Sequence, residues 1–367
     1  MESRAAILFE PGKRLNVCEV DVAEPCAGEV RIEMKAAGIC HTDLSVMTGH
    51  LKAPIPGILG HEGAGIVVDV GDGVNSVEPG DHVIPLWRLS CGLCEYCSES
   101  RPALCPVGTE IRASGRLQDG TSRFSYKGQE ILHFAGVSAF SNYTVLPEGS
   151  VLKIPKDLPF ELAALLGCSV ITGVGSVINT TNLKPGRTVA VFGVGGVGVN
   201  IVQGAVLSGA KRIIAIDRHD VRLEQVREFG ATDTINGSRE DPVESIRNLT
   251  EGRGVDFAFE AVGLPITIQQ AYNSLAKRGT AIIVGIPANS ATITLTALPF
   301  AFEERVLTGS LYGSAVPRND IPRMIDLYKA GKLELDKLLS RSYPIEQINE
   351  AYKAMQAGET LRSVVTF

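Results

Sequence analysis

Residues 188–217 constrain the fold of this chain more than any other stretch. Thr188–Phe192 is a short apolar run of strand type that leads into Gly193-Val194-Gly195-Gly196-Val197-Gly198. A helical pattern over 197–209 follows, and a second strand, Arg212–Ile216, ends beside Asp217. Strand, glycine turn, helix and strand make a βαβ unit, which demands a parallel sheet. Gly193, Gly195 and Gly198 have the GxGxxG spacing. The first glycine permits the tight turn, the second lets the backbone approach a pyrophosphate, and the third lets the helix pack on the strand. The helix N-terminus offers that anion free N–H groups and the positive end of its dipole. Asp217 stands nineteen residues after Gly198. At that distance an acid accepts from both ribose hydroxyls of an adenosine and repels a 2′-phosphate. The stretch therefore predicts a dinucleotide loop made by Gly193, Gly195, Gly196, Val197, Gly198 and Asp217, with NAD favoured over NADP although Arg218 follows directly. The alternative is an empty βαβ turn with a surface aspartate.

The alternation continues with a helix at 220–229 and strands at Phe257–Glu260, Thr280–Val284 and Val306–Gly309. The first 150 residues differ. Residues 28–36 alternate apolar and polar as a half-buried strand does, and 63–70 and 82–87 are further strands punctuated by Gly71, Gly73, Pro79 and Gly80. A helix over 161–181 precedes the turn Lys184-Pro185-Gly186, and the last fifty residues return to helix with a closing strand at Leu361–Phe367. A chain of 367 residues suits two domains, one β-rich and one α/β.

The 35 basic and 41 acidic residues leave a net charge of −6 with no basic run, so the electrostatic footprint of a nucleic-acid binder is missing. Mean hydropathy is +0.13, and three stretches, 162–183, 188–210 and 279–302, carry no charge. They are long enough to span a bilayer. However, the first holds three glycines, the second six, and the third holds Pro287 and Pro299. They read as buried strands and helices of a parallel-sheet protein, and no membrane role is expected. The N-terminus, Met1-Glu2-Ser3-Arg4, has no basic segment before an apolar run, so the expectation is a cytoplasmic protein with reduced cysteines.

Eight cysteines are unevenly spread. Cys91, Cys94, Cys97 and Cys105 form C-x2-C-x2-C-x7-C. Four thiolates that close can surround one tetrahedral zinc, and a site filled by four sulfurs has no open position, so this zinc would be structural. An iron–sulfur cluster is the competing occupant. Cys40 in Gly38-Ile39-Cys40-His41-Thr42-Asp43, His61 in Gly60-His61-Glu62, and Cys168 in Leu166-Gly167-Cys168 are too far apart for spacing to unite them. Read alone, Cys168 is a buried core cysteine and His61 a turn histidine.

These motifs together resemble the zinc-dependent medium-chain alcohol dehydrogenases over essentially the whole length. GICHTD, GHEGAG at 60–65, PGDHV at 79–83, the four-cysteine loop, LGC, GVGGVG and IDR occur in that family's order. The resemblance implies a β-rich GroES-like catalytic domain (residues 1–170 and 313–367) and a six-stranded, doubly wound Rossmann domain (171–312), with the active site between them. It implies two Zn2+ per chain and NAD, with a catalytic zinc held by Cys40, His61 and Cys168 and Glu62 behind it as an occasional ligand. Asp43 would hold the His61 imidazole, and Thr42 would contact the substrate oxygen. His41 and Arg362 would touch the pyrophosphate, Arg222 would lie near the adenosine ribose, and Trp87 and Phe140 would wall the substrate pocket, unless both are plain core aromatics. The implied reaction passes a hydride between NAD and a primary or aryl alcohol held on zinc as alkoxide, the aldehyde in reverse. Where several relatives end the proton relay with a histidine, this chain has Ser45, so a relay without histidine is expected even though His50 is near in sequence.

The glutathione-dependent formaldehyde dehydrogenases are a near branch, and residues 115–145 resemble their central segment. That branch carries acids where Gly49-His50-Leu51-Lys52-Ala53-Pro54 stands, and this stretch has none. The alternatives to an NAD-dependent alcohol dehydrogenase are thus a thiol-adduct formaldehyde dehydrogenase and a non-catalytic zinc scaffold. The long 105–145 segment resembles the dimeric relatives, so a homodimer is expected, with a tetramer the alternative. Cys18 and Cys26 have no expected task.

Overall fold

The computed structural model describes residues 1–367. The chain divides into two compact units, one of Met1–Cys168, Val316–Ile325 and Leu335–Phe367, the other of Ser169–Ala315 and Asp326–Glu334.

In the first unit a closed barrel runs through Glu2–Leu8, Asn16–Val22, Phe124–Tyr126, Gln129–His133 and Gly57–Ile58. A second sheet orders Val151–Lys153, His82–Pro85, Gly63–Val70, Glu29–Gly38, Arg362–Thr366 and Leu339–Pro344, with Tyr143–Pro147 also pairing on Glu29–Gly38. The ten-residue strand Glu29–Gly38 is the hub of this sheet. Val30, Ile32, Met34 and Ala36 are fully or nearly fully buried, at alternate positions, as the two-residue period of a strand requires. Val30, Ile32 and Met34 join Ala5, Ile7, Ile58, Val145, Phe140, Ile348 and Tyr352 in one core. A fully buried Ile or Val contributes about 1.5–3 kcal/mol, so this core rather than any disulfide holds the unit; all eight cysteines are free.

The second unit is a six-stranded sheet in the order Asp233–Asn236, Arg212–Asp217, Thr188–Phe192, Val255–Glu260, Leu275–Ile283, Val306–Gly309. All five pairings are parallel. Every residue of Thr188–Phe192 is buried, which is why it reads as an unbroken apolar run rather than an alternating one. The strand Asp233–Asn236 was not anticipated. It is four residues long with a single large apolar side chain, Ile235, too little for a periodic signal. Residues 326–334 were expected to belong with the β-rich domain but cluster with the sheet. Gln203 explains this, because its Nε2 donates to the Glu334 carbonyl at 3.1 Å and its Oε1 accepts from the Glu334 N–H at 2.8 Å.

The helix expected over 161–181 is three pieces: Phe160–Leu165, a wide π turn Leu166–Val170, and Ile171–Ile178. Phe160–Ile178 as a whole is long and apolar enough to cross a membrane, but 83% of its most apolar window is buried in the protein, the mark of a core helix. Cys168 sits in the π turn, a distortion that often accompanies a functional side chain.

Candidate functional site

Cys40 ends the hub-strand loop and immediately precedes the helix His41–Met47. Thr42 and Asp43 therefore lie on its first turn, Asp43 fully buried and Thr42 half-buried. Glycine at 60 has φ +86°, and a Cβ there would stand 2.7 Å from the Phe140 backbone nitrogen, so the turn before His61 admits only glycine. That turn brings His61 and Glu62 to Cys40, and the π turn brings Cys168. One ligand atom from each of Cys40, His61, Glu62 and Cys168 falls within a 4.8 Å cluster, and all four residues are buried. Cys168 Sγ is 3.5 Å from His61 Nε2.

His61 Nδ1 lies 3.3 Å from Asp43 Oδ1, and the same oxygen accepts the Gly60 N–H at 2.9 Å. The carboxylate thus fixes the tautomer that leaves Nε2 free to ligate. Burial raises the Asp43 pKa, against the pull of His61. Cys40 is drawn well below its ordinary value, first by the hydrogen bond from Cys168, whereas Cys168 rises well above through that same bond and burial. Burial pushes Glu62 up to about 8 even though Arg362 opposes the shift. Glu62 Oε2 pairs with Arg362, and its Oε1 is buried with no partner. Two sulfurs, an imidazole nitrogen and a spare carboxylate oxygen form a donor set for zinc, and three firm ligands plus an intermittent one leave a coordination position for substrate.

Cys91, Cys94, Cys97 and Cys105 also converge within 4.8 Å. Backbone N–H groups of Leu93 and Cys94 point at Cys91 Sγ at 3.5 and 3.3 Å and lower its pKa to about 6. Burial and then Cys94 push Cys97 up to about 12. Turn amides aimed at sulfur favour thiolates, and a four-thiolate shell suits a closed structural zinc.

In the second unit the glycine loop leads into the helix Gly196–Leu207, whose N-cap, Gly195, has no side chain to cap the free amides. A Cβ at Gly198 would collide with the Gly193 carbonyl, whereas at Gly195 its nearest neighbour would be Arg222, 3.8 Å away. The first is a packing contact and the second an open face for a phosphate. Asp217 Oδ2 accepts the Val194 N–H at 3.0 Å, and Oδ1 accepts from Arg218 and His219 at 2.8 and 3.0 Å. Arg222 approaches Asp217 at 3.9 Å.

Comparison with known proteins supplies the family. Residues 26–156 match the alcohol dehydrogenase GroES-like domain and residues 196–330 the zinc-binding dehydrogenase domain. An S-(hydroxymethyl)glutathione dehydrogenase of Escherichia coli O1:K1 / APEC is 41% identical over 372 residues, with all of both chains covered. The chain belongs to the zinc-dependent medium-chain alcohol dehydrogenases. Among solved members, benzyl alcohol dehydrogenase from Acinetobacter calcoaceticus superposes with a TM-score of 0.95 at 32% identity, covering 100% of this chain and 99% of that one. An alcohol dehydrogenase zinc-binding domain protein from Burkholderia ambifaria does so with 0.95 at 34%, over the same shares. Like the family, this alcohol dehydrogenase is an oxidoreductase with a GroES-like domain and a Rossmann domain, and zinc and NAD are the cofactors that fit it.

Within this alcohol dehydrogenase several expected residues have partners of their own. Arg362, expected at the pyrophosphate, is buried against Glu62, because its strand pairs with Glu29–Gly38 and carries it to the back of the metal cluster. His41 is exposed on the first turn. Trp87 faces His61 edge-on, ring centroids 6.0 Å apart. Phe140 is fully buried and packs on Tyr352 at 6.3 Å. Phe134, which sequence reasoning missed, stands on His61 at 5.7 Å and 76°. His50 is exposed, with Nδ1 2.7 Å from Thr48 Oγ1 rather than against Ser45.

Proposed function

We propose that this alcohol dehydrogenase oxidises primary or aryl alcohols to aldehydes, and reduces the aldehydes in reverse, with NAD as hydride carrier and with metal held by Cys40, His61 and Cys168. The observation that carries the reading is the aromatic surround of the metal cluster: Trp87 and Phe134 both stand edge-on to His61, within about 6 Å. Flat apolar walls favour a planar, uncharged substrate. A zinc bound there supplies a Lewis acid that lowers the pKa of an alcohol hydroxyl. Thr42, two residues from Cys40 and half-buried, is placed to accept the hydroxyl proton at Oγ1 while handing its own proton on toward solvent, and a bound NAD would accept the hydride from the carbinol carbon. Asp43 keeps the His61 ring turned so that Nε2, not Nδ1, meets the metal. Glu62 shares its carboxylate between Arg362 and the cluster. The loop Gly193–Gly198, Asp217 and Arg222 hold the dinucleotide.

A second reading has its own support, since relatives 41% identical are named S-(hydroxymethyl)glutathione dehydrogenase. Against it, residues 49–54 offer no acid to a glutathione amine, and Arg123, the buried cation of the 115–145 segment, is already paired with Glu29 and Asp119 at 2.7 and 2.6 Å. NADH formation from benzyl alcohol, and from formaldehyde with and without glutathione, tests the two. The aryl reading expects the highest kcat/KM with benzyl alcohol and no stimulation by glutathione. Formaldehyde oxidation that depends on glutathione would replace it.

The assembly we infer is a dimer through the edge strand Val306–Gly309. Val306 is 46% exposed there, and Leu298, Phe300 and Phe302 just before it are also exposed apolar residues. An open apolar edge is a template for pairing with a second copy. Sedimentation that finds a monomer for Val306→Lys and a dimer for the wild type supports it; a tetramer or a wild-type monomer does not.

A further inference from the structure

Behind the metal cluster lie two buried polar atoms whose hydrogen-bonding needs are complementary. Asp43 Oδ2 is an acceptor that stands 3.2 Å from His61 Nδ1 without a hydrogen bond to it, and the Tyr352 hydroxyl is a donor with no hydrogen bond, although Asp43 is 0% and Tyr352 2% exposed. A chain of contacts runs from one residue to the other. Tyr352 comes from the helix Ile348–Gln356 and sets its ring against Phe140 at 6.3 Å and 81°. Phe140 fills the space beneath Gly60, where a Cβ would meet its ring at 2.8 Å. The Gly60 N–H donates to the other oxygen of Asp43 at 2.9 Å. Among the neighbouring charges, Asp43 raises the phenol pKa most, after burial itself.

Leaving a buried donor or acceptor unpaired costs about 1–3 kcal/mol. A buried phenol normally gives its hydroxyl to a partner, and one buried water bonded to two to four polar groups is the common solution where side chains do not touch. Packing alone does not call for the oxygen, because phenylalanine would fill the same ring site.

We propose that Tyr352 is a positioning residue for the metal: its hydroxyl serves Asp43 Oδ2 through one buried water and so completes the bonding of the carboxylate that orients His61. Tyr352 does not touch the substrate or the metal. It acts through Asp43, in the way outer hydrogen-bond partners of metal-bound histidines set ring orientation and ligand basicity. The inference rests on the reading that Cys40, His61 and Cys168 hold zinc.

The test is the release of zinc to a chelator, followed separately for the two sites, in wild type, Tyr352→Phe, Asp43→Asn and the double variant. Outer partners of this kind change metal affinity by about 10–100-fold. Tyr352→Phe is expected to release the Cys40–His61–Cys168 metal about tenfold faster, to leave release from the four-cysteine site unchanged, and to add nothing in the Asp43→Asn background. With cobalt in place of zinc, the same variant should shift the ligand-field bands of the first site alone, a readout that needs no Asp43 variant. An unchanged rate in Tyr352→Phe overturns the inference while leaving the site intact. So does an equal acceleration at both sites, or an effect that adds to that of Asp43→Asn. A wild type with metal only in the four-cysteine site overturns the reading of the site and the inference with it.

Discussion

The Val194 N–H donates to Asp217 Oδ2 at 3.0 Å, so the end of one strand is tied to the glycine loop at the end of its neighbour. Both strands are parallel and in register, Phe192 opposite Ile216, which sets the loop and the carboxylate side by side. We propose that the same carboxylate that braces the loop discriminates between dinucleotides. Asp217→Asn removes the charge that repels a 2′-phosphate. The ratio of kcat/KM for NAD to that for NADP should fall by about tenfold or more, tenfold being about 1.4 kcal/mol. Steady-state kinetics with both dinucleotides checks this, and an unchanged ratio would move the discrimination elsewhere.

Two glycines in the loop should respond differently to the same substitution. Gly195→Ala adds a methyl into open space 3.8 Å from Arg222, so the melting temperature should hold while NAD affinity falls by about tenfold through lost approach of the pyrophosphate. Gly198→Ala drives a methyl into the Gly193 carbonyl, so stability and NAD affinity should fall together. Thermal melts and dinucleotide titrations of the two variants decide it. Equal losses of stability would mean that the face of Gly195 is not open.

Acid should destabilise the β-rich unit through His133. The ring is fully buried against Phe124, and its Nε2 accepts the Arg123 N–H at 3.2 Å. Burial, then Arg123, depresses its pKa from 6.5 to about 3. Below pH 6.5 the unfolded chain binds a proton that the native chain refuses. The stability is therefore present above pH 6.5 and is lost as pH falls toward 3, by about 1.4 kcal/mol per unit from this residue. His133→Gln keeps a neutral acceptor, so the gap between its urea-unfolding free energies at pH 7 and pH 4.5 should be smaller than in wild type. An identical gap would show that His133 is protonated in the native state at pH 4.5.

Trp87→Ala opens one wall beside His61, 6.0 Å away. Relative kcat/KM should shift several-fold toward bulkier alcohols across a series from ethanol to substituted benzyl alcohols, following the few kcal/mol an aromatic wall contributes. A uniform change across the series would place Trp87 outside the substrate's reach.

What was legible in the sequence is what is local in the chain. The loop Gly193–Gly198 and the cysteines at 91–105 are compact motifs whose spacing already encodes their geometry, and the structure assembles both. Cys168 lies 107 residues from His61, and only the resemblance to a family united them before their atoms were seen 3.5 Å apart. Phe134, Tyr352 and the Glu62–Arg362 pair were beyond reach because each contact is made by sheet pairing and helix docking between distant segments. Gln203 drew 326–334 to the second unit for the same reason. The π turn at Leu166–Val170 has the composition of a plain helix, so its widening was invisible.

Metal content measured together with NADH formation tests the central claim most directly. The wild type should hold two zinc per chain. His61→Ala should hold one, bind NAD as before, and form NADH from benzyl alcohol at about a thousandth of the rate or less, since Lewis-acid polarisation is worth several kcal/mol. A wild type with one zinc, or a His61→Ala variant that keeps two and still turns over, would contradict a catalytic zinc at Cys40, His61 and Cys168.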